Sequence, residues 1–360
     1  MPSRWDAVVK WDRSAWERGR ALAGLAVVTA GLVAFHRVVP NSVGHLGSLL
    51  EQFLPWLGLV VVVLLVLALL RRSAIALVTL LLPVAAWTYL CGGLLLPGAA
   101  PGAHDLVVVQ HNVSDENADP AGTARSLADA EPDLIALEEV VPAARPVYEK
   151  TLAPRYPYHA VRGTVGLWSK HPLTGSRTVD IKPRGIKDSW QRGLRAVART
   201  PHGEVAVYVA HLPSVRVGAS GLGSTWRDES AGKLGRVVAA EKLRPVILMG
   251  DLNSTVDDRG LAPLTSRMNT ARRGFAFRFP AAFPVARIDQ VMARSATVTH
   301  IRALPETGSD HLPVAARIAL GQPVKWCGRH RRPVAAAHGV RTAGRRAVRA
   351  PGSTRGPRRH

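Results

Sequence analysis

Three long apolar stretches lie within the first hundred residues, and they constrain the fold more than any other feature of the chain. They cover residues 21–39, 53–70 and 74–96. A helix needs about 20 consecutive apolar residues to cross the hydrocarbon core of a bilayer. Three such stretches in succession favour three transmembrane helices over the buried helices of a soluble domain.

Lysine and arginine residues flank these stretches on alternate sides. Five of them precede the first stretch, residues 40–52 contain none, and Arg71 and Arg72 separate the second stretch from the third. Because positively charged flanks remain in the cytoplasm, residues 1–20 are expected to form a basic cytoplasmic N-terminus. Everything after residue 97 is then expected to lie outside a plasma membrane that the chain crosses several times. Arg37, at the outer end of the first stretch, is an exception to the pattern.

A second interpretation treats residues 1–40 as a cleaved signal peptide. The basic residues at the N-terminus agree with it. No small-x-small cleavage site follows, however, and the two remaining spans would reverse the topology. We therefore favour three spans.

The composition changes abruptly after the third stretch. Residues 97–103 (PGAAPGA) are typical of a linker, and residues 104–320 alternate between strand-like and helix-like segments. Residues 321–360 are expected to be a disordered basic tail, since they lack periodicity and carry eleven Lys or Arg from residue 323 onward, without Asp or Glu. About half of the net charge of +21 lies in this tail, so the middle of the chain is only mildly basic, unlike a dedicated DNA-binding domain.

The alternation in residues 104–320 predicts sheets more strongly than helices. It contains many strands and few helices, which favours mixed or antiparallel sheets flanked by helices over a regular βαβ series. Strands are predicted at 105–111, 133–140, 165–170, 192–200, 204–212, 246–253, 287–293 and 313–320, and helices at 123–132, 142–152 and 226–243.

Polar side chains interrupt these strands or follow their ends. Hydrolysis of a phosphate ester needs a hard cation to neutralise charge on the phosphoryl oxygens, and carboxylate and amide oxygens suit Mg²⁺. It also needs groups that orient or deprotonate water and that donate to the developing charge. The candidate cation ligands are Glu139, Asn112 and Asp310, and the candidate catalytic residues are His311, Asp251, Asn253, His211 and Asp289.

The order of these residues resembles the endonuclease/exonuclease/phosphatase superfamily, which has the deoxyribonuclease-I-like fold. The resemblance spans about residues 105–320 and is carried by Asn112, LEE (137–139), HL (211–212), GDLN (250–253), RID (287–289) and SDH (309–311). It implies an α/β four-layer sandwich in which two mixed β-sheets lie between helices. The three transmembrane helices would precede that sandwich.

The resemblance also implies a role for each residue. Glu139 would be the principal ligand of Mg²⁺ or Mn²⁺, with Asn112 and Asp310 near it. Asp289 would fix the tautomer of His311, which would act on the phosphate or on its attacking water. The remaining three residues would serve the phosphoryl group: Asp251 in proton transfer, oriented with Asn253, and His211 in holding the oxygens.

Two positions depart from the family pattern. Glu138 stands where the family usually has Gln. Its extra charge could alter metal affinity, but we favour its interpretation as a surface residue on the opposite face of its strand. Ser114 stands where some nucleases of the superfamily have an acidic residue. Aromatic and basic loops that would enter a DNA groove are not evident, which disfavours a nuclease.

The sequence therefore favours a membrane-anchored phosphoesterase that cleaves a phosphate ester or pyrophosphate outside the membrane, with a polyprenyl-lipid (pyro)phosphate as the candidate substrate. The architecture is similar to that of actinobacterial three-span members of the superfamily linked to glycopeptide resistance. A metal-dependent surface nuclease that acts on DNA is the alternative, because the basic tail could bind nucleic acid as well as anionic lipid or wall polymer. A non-catalytic binding module on the same fold is the third hypothesis, and the complete set of polar residues argues against it.

Overall fold

The computed structural model describes residues 16–96, 103–271, 277 and 279–321. Three sequence predictions concern segments that lie wholly or mostly outside these ranges: the basic N-terminus, the linker at 97–103 and the basic tail. The structure offers no description of residues 1–15, 97–102 and 322–360.

The N-terminal region is helical. Its small core is formed by buried residues such as Ala26, Leu64 and Ala76, whereas many of its larger apolar side chains, for example Val28 and Leu70, are exposed. The helices are α1 (Arg20–Ala34), α2 (Leu46–Gln52), α3 (Leu57–Leu70), α4 (Ala74–Thr79) and α5 (Leu81–Cys91), with 3₁₀ turns at His36–Val38, Leu54–Trp56 and Gly92–Leu95.

Within the described residues, one helical run is long and apolar enough to cross a membrane by itself. It covers Ala74–Leu95, 22 residues. The pair Leu46–Gln52 and Leu54–Leu70 qualifies only as a unit and is bent by 65°. Helix α1 has 15 residues, about 22 Å at 1.5 Å per residue, and a turn containing His36 and Arg37 follows it. Three complete spans were expected, and these criteria support one, or two if the bent pair is a single span.

Two mixed sheets form the framework of the described residues after 103. The first sheet has the order β12-β13-β1-β2-β4-β3 and the second has the order β11-β10-β7-β6-β5. The strands are β1 (Leu106–Asn112), β2 (Leu134–Glu138), β3 (Tyr158–Arg162), β4 (Val165–Ser169), β5 (Leu173–Thr178), β6 (Gly193–Thr200), β7 (Gly203–Ala210), β8 (Val217–Gly218), β9 (Gly221–Leu222), β10 (Val246–Asp251), β11 (Asp289–Arg294), β12 (Thr297–Ala303) and β13 (Val314–Ala319).

Three apolar clusters show how the layers pack. The largest cluster lies between the sheets, where residues such as Val108 and Leu167 face Val207 and Met249. Helices α6 (Pro120–Asp129) and α7 (Arg145–Leu152) cover the other face of the first sheet. Helices α8 (Thr225–Ala240) and α9 (Ala262–Thr265) cover the other face of the second. The expected arrangement of two mixed sheets between helices is confirmed.

The strands that the sequence analysis missed lie at sheet edges or in a short hairpin. Strands β3 and β12 border the first sheet and β5 borders the second, and β8 pairs only with β9. Edge strands face solvent more than central strands do, so their sequences lack a continuous apolar run; in β5 every side chain is exposed or half-buried.

The N-terminal region packs directly on the loops of the sandwich. The guanidinium of Arg259 donates to Glu51 at 2.9 Å and to the main-chain oxygens of Val39 and His36 at 2.8 and 3.0 Å. Trp56 Nε1 donates to the Val285 oxygen at 2.8 Å. The segment from His36 to Trp56, here called the docking segment, therefore holds the helices against the sandwich.

A buried ion pair supports the loop beneath the docking segment. The Arg227 side chain is fully buried; it donates to Asp258 Oδ2 at 2.6 Å and to the Asn253 oxygen at 3.3 Å. Gln52 Nε2 approaches the same Asp258 oxygen at 3.3 Å. Since Asp258 is also buried, its charge depends on these partners.

Replacing Arg227 by Met should destabilise the protein strongly, because it leaves the buried Asp258 carboxylate without its counter-charge. A loss of one partner of a buried pair costs about 3–5 kcal/mol, so the thermal unfolding midpoint in detergent should fall by roughly 10 °C. The control is Arg199→Met, whose partner Glu204 is solvent-exposed and whose loss should cost less than about 1 kcal/mol. Equal midpoints for the two variants would contradict this account of the loop.

Candidate active site

All eight residues singled out in the sequence gather at one end of the sandwich. Six of them line a cavity of about 380 Å³: Asn112, Glu139, Asp251, Asn253, Asp310 and His311. The other two stand behind this wall, where His211 lies against Glu139 and Asp251 and Asp289 lies against His311.

The parallel pairing of β1 and β2 brings the first two polar groups together. Asn112 and Glu138 end their strands in register, and Glu139 follows with a backbone φ of 62°. A left-handed conformation is unfavourable for Glu, and here it turns the side chain into the cavity. Asn112 Nδ2 then donates to Glu139 Oε1 at 3.2 Å.

A glycine near the end of β10 allows this strand to place Asp251 beside Asn112. Gly250 has φ of 153°, and a Cβ on it would lie 1.9 Å from the Ala210 oxygen, so only Gly fits where β10 passes the end of its parallel neighbour β7. Asp251 is the next residue, and it pairs in register with Asp289 on β11. Two carboxylates therefore face each other across neighbouring strands.

The two carboxylates differ in their contacts with the His311 imidazole and therefore in their pKa shifts. Its Nδ1 lies 2.8 Å from Asp289 Oδ2, and Gln110 Nε2 donates to Asp289 Oδ1 at 3.0 Å. Burial opposes ionisation of Asp289, but the charge and hydrogen bond of His311 outweigh it and lower its pKa. Burial also opposes protonation of His311, but the Asp289 carboxylate outweighs it and raises the pKa of His311 to about 10.

Asp251 keeps its proton more readily than an ordinary carboxyl group. Burial, and then the charge of Asp289, raises its pKa well above the usual range, although His311 opposes the shift. Its oxygens accept from the Asn253 main-chain N–H at 2.9 Å and from Asn112 Nδ2 at 3.2 Å, and His311 Nε2 is 3.8 Å away. A carboxyl group with this pKa can take up and return a proton near neutral pH.

The Glu139 carboxylate offers oxygen ligands that suit a hard cation. Its carboxylate is partly exposed, at 25%, whereas Asp251 behind it is buried, and Asp310 contributes an exposed carboxylate to the same cavity. Oxygen ligands with room for water are what Mg²⁺ requires.

A second trio could also hold an ion: Asp251, Asp289 and His311 each place a ligand atom within 4.8 Å of the others. We favour the Glu139 set, because Asp289 is completely buried and already bonded to His311.

Two residues that the sequence analysis did not select complete the site. Arg192 Nη1 lies 3.1 Å from His211 Nδ1 and 3.2 Å from Nε2. Burial first, and then the Arg192 charge, lowers the pKa of His211, so its imidazole is neutral. Ser309 Oγ donates to the main-chain oxygen of Asn112 at 2.7 Å and accepts from the main-chain N–H of His311 at 3.1 Å. Arg192 precedes its strand and could not be found among strand-end residues, whereas Ser309 belongs to the SDH motif.

The interpretation of Glu138 as a surface residue is wrong. Its side chain is fully buried between the sheets, and its Oε2 accepts from Gln110 Nε2 at 2.7 Å. Burial, and then the charges of Asp289 and Asp251, raises its pKa well above the usual range against the effect of Gln110. A protonated Glu138 has nearly the shape of Gln, the residue that the family resemblance implies at this position.

A comparison with family models decides the family. The model of the Endonuclease/Exonuclease/phosphatase family matches residues 109–311, which is more than half of the chain and includes every residue of the site. The chain belongs to this family. The membership confirms the expected enzyme class, a metal-dependent hydrolase of phosphoric esters.

Solved structures of the same fold share little sequence with this family member. A functionally unknown conserved protein from Enterococcus faecalis is 14% identical, with a TM-score of 0.50 over 59% of this chain and 99% of that chain. Sphingomyelinase C from Streptomyces griseocarneus is 20% identical, with a TM-score of 0.46 over 59% and 98%. The D. rerio TDP2 complexed with a single-strand DNA product is 18% identical, with a TM-score of 0.49 over 59% and 98%. A comparison with curated proteins finds no match.

Replacing Asp289 by Asn should lower the pKa of His311. Burial disfavours the charged imidazole, and in the variant the Asp289 carboxylate no longer offsets this effect. The imidazole should therefore lose its proton at a lower pH than in the parent protein. Histidine-selective NMR titration measures this shift, and kcat should fall by about 10²–10⁴-fold. The exposed Asp129→Asn variant should change neither quantity, and an unchanged His311 titration in Asp289→Asn would refute the pairing.

Proposed function

We propose that this protein is a membrane-anchored, Mg²⁺-dependent phosphoesterase that hydrolyses a lipid-linked phosphate ester or pyrophosphate outside the membrane. One observation carries the proposal. Gln52 and Phe53, which belong to the docking segment of the apolar helices, line the same cavity as Glu139, Asp251 and His311. The catalytic cavity therefore opens beside the part of the chain that would enter a bilayer.

The eight site residues support the roles that the resemblance implies. In this proposal Glu139, Asn112 and Asp310 would hold the metal ion, which would supply positive charge to the phosphoryl oxygens. His211 is neutral and backed by Arg192, so an N–H of its ring can donate to a phosphoryl oxygen. Its ring lies 3.6 Å from Asp251, close to the proposed reaction centre.

Asp251 and His311 have different roles in this proposal. Asp251 has a raised pKa and two amide donors that fix its orientation, so we assign it to taking a proton from the attacking water. His311 is held as a cation by Asp289, and it can stabilise the charge that develops on the phosphoryl group or its leaving oxygen. The hydrogen bond at Nδ1 leaves Nε2 directed away from Asp289, and His311 lines the cavity.

The surface of the helices supports membrane anchoring. Many large apolar side chains of α1, α3 and α5 are exposed, among them Leu25, Val63 and Leu82. A contiguous apolar surface of this kind marks a membrane or protein contact. We infer from the charge pattern that Arg71 and Arg72 lie in the cytoplasm and the sandwich lies outside, with α1, α3 and the run Ala74–Leu95 as the membrane-inserted helices of a multi-pass arrangement.

A polyprenyl carrier (pyro)phosphate is our first candidate substrate. The three-span actinobacterial members linked to glycopeptide resistance have a similar architecture, and such a lipid presents its phosphate at the outer surface of the membrane. Tethering the site to that surface raises the effective concentration of such a substrate. DNA is the alternative, and it forms one arm of the experiment below.

The detergent-solubilised enzyme should release phosphate from a polyprenyl pyrophosphate, and EDTA should stop the reaction until Mg²⁺ is restored. Asp251→Asn should lower the rate by about 10²–10⁴-fold, whereas the exposed Asp188→Asn should not. The same preparations are incubated with supercoiled plasmid. Nicking of plasmid that depends on Asp251, without phosphate release from lipid, would replace the lipid proposal with the nuclease.

Membrane orientation has its own test. In a variant with Cys91 and Cys327 replaced by Ser, Lys187→Cys should react with a membrane-impermeant maleimide applied to intact cells, because the sandwich is proposed to lie outside. Arg72→Cys should react only after the cells are opened. Both positions are exposed in the structure, so the opposite labelling pattern would show an inverted orientation.

A further inference from the structure

We infer that the groove between helices α3 and α5 binds the hydrocarbon chain of the enzyme's own lipid substrate. This inference rests on the proposed function and names the site that would recognise the lipid part of the substrate.

The groove is a cavity of about 410 Å³ with an almost entirely apolar wall. Its lining includes Leu59, Val62, Val84, Leu95 and the rings of Trp56 and Trp87. Val62 and Val84 are about half exposed, so the groove is open along one side. A flexible chain can therefore enter it laterally.

Hydrogen bonds fix both tryptophan rings. Trp87 Nε1 donates to the Pro55 oxygen at 2.9 Å, and Trp56 Nε1 donates to the Val285 oxygen at 2.8 Å. The N–H groups are thus satisfied within the protein, and the rings present apolar faces. Gly58 gives Trp87 its place, because a Cβ there would lie 2.8 Å from the indole ring. These contacts fix the shape of the groove.

An intermediate cavity of about 260 Å³ lies between the groove and the catalytic cavity and shares wall residues with each. Pro55 and Phe277 line both the groove and the intermediate cavity. Gln52 lines both the intermediate cavity and the catalytic cavity. The three spaces therefore follow one another along the docking segment.

The lining changes from apolar to polar along this path. The groove is walled by aromatic and aliphatic side chains, the intermediate cavity adds Thr255, Asp257 and Arg287, and the catalytic cavity ends at the carboxylates and His311. A phosphorylated lipid has the same order of apolar chain, polar junction and phosphate. Because of this match, the proposed occupant of the groove is the hydrocarbon chain of a phosphorylated lipid.

The chain gains little hydrophobic free energy in the groove, because it is already shielded from water in the bilayer. Its contact with fixed rings serves positioning: a chain held in the groove directs the attached phosphate toward Glu139 and His311, which favours the reactive geometry. A water-soluble phosphate ester does not use the groove and should be hydrolysed without its help.

Neighbouring valines on α3 provide a matched test. Val62 lines the groove and Val63 does not appear in its wall, although the two are 54% and 56% exposed. Val62→Trp should raise KM for a long-chain polyprenyl phosphate about tenfold and leave a short-chain, water-soluble phosphate ester unaffected. Val63→Trp should change neither. Equal effects of the two substitutions, or a loss of activity on the short-chain ester in Val62→Trp, would overturn the inference.

A binding measurement separates this inference from the proposed function. A polyprenyl phosphate with a diazirine on its chain is photo-crosslinked to full-length Asp251→Asn protein in nanodiscs. Label in residues 56–62 and 84–95 should be competed by unlabelled polyprenyl phosphate and not by the uncharged polyprenol. Label that polyprenol displaces equally would show that bulk lipid fills the groove, even if the enzyme hydrolyses the lipid. Specific label without hydrolysis by the parent enzyme would retain the groove and reject the proposed function.

Discussion

The buried charge of Asp289 determines how the two sheets meet at the active site. Asp289 lies on the second sheet with no exposed surface, so its charge must be balanced from within the protein. Gln110 on the first sheet and His311 in the loop before β13 supply the hydrogen bonds. The same Gln110 reaches Glu138, and Ser309 ties the His311 loop to the end of β1. One ionised carboxylate thus fixes the position of elements from both sheets, and the cavity is formed by their ends.

Most of the sandwich and the polar site could be predicted from the sequence because both have strong local signals. Central strands are continuous apolar runs, and a carboxylate or imidazole at the end of such a run is conspicuous, as with Asp251 and His311. Strands β3, β5 and β12 lacked that signal because one side of each is solvent. Glu138 was misplaced because alternation along a strand assigns one face to solvent, whereas the first sheet of this sandwich is covered on both faces. Arg192 escaped detection because it lies just before a strand and reaches the site through its long side chain.

The relation between the helices and the sandwich could not be read from the sequence at all. The Pro, Gly and Ala composition of residues 97–103 suggested two bodies joined by a linker. The structure instead joins them through Arg259 and Glu51, which are 208 positions apart, and through single hydrogen bonds from Gln52 and Trp56. No periodicity or local motif predicts such contacts, because each of them depends on the complete fold. The lengths of the apolar helices were likewise misjudged, because a stretch of apolar residues does not show where Pro55 or a His-Arg turn interrupts the helix.

The position of Gln52 and Phe53 in the wall of the catalytic cavity has a consequence for how enzymes of this design diversify. Gln52 and Phe53 of the helical region form part of the cavity wall, so a fragment that begins after residue 103 would retain all eight site residues yet lack part of that wall. An exchange of helical regions between two such proteins would therefore also exchange part of the cavity. Selection on the helical region and selection on the cavity are coupled through a few residues of one short segment.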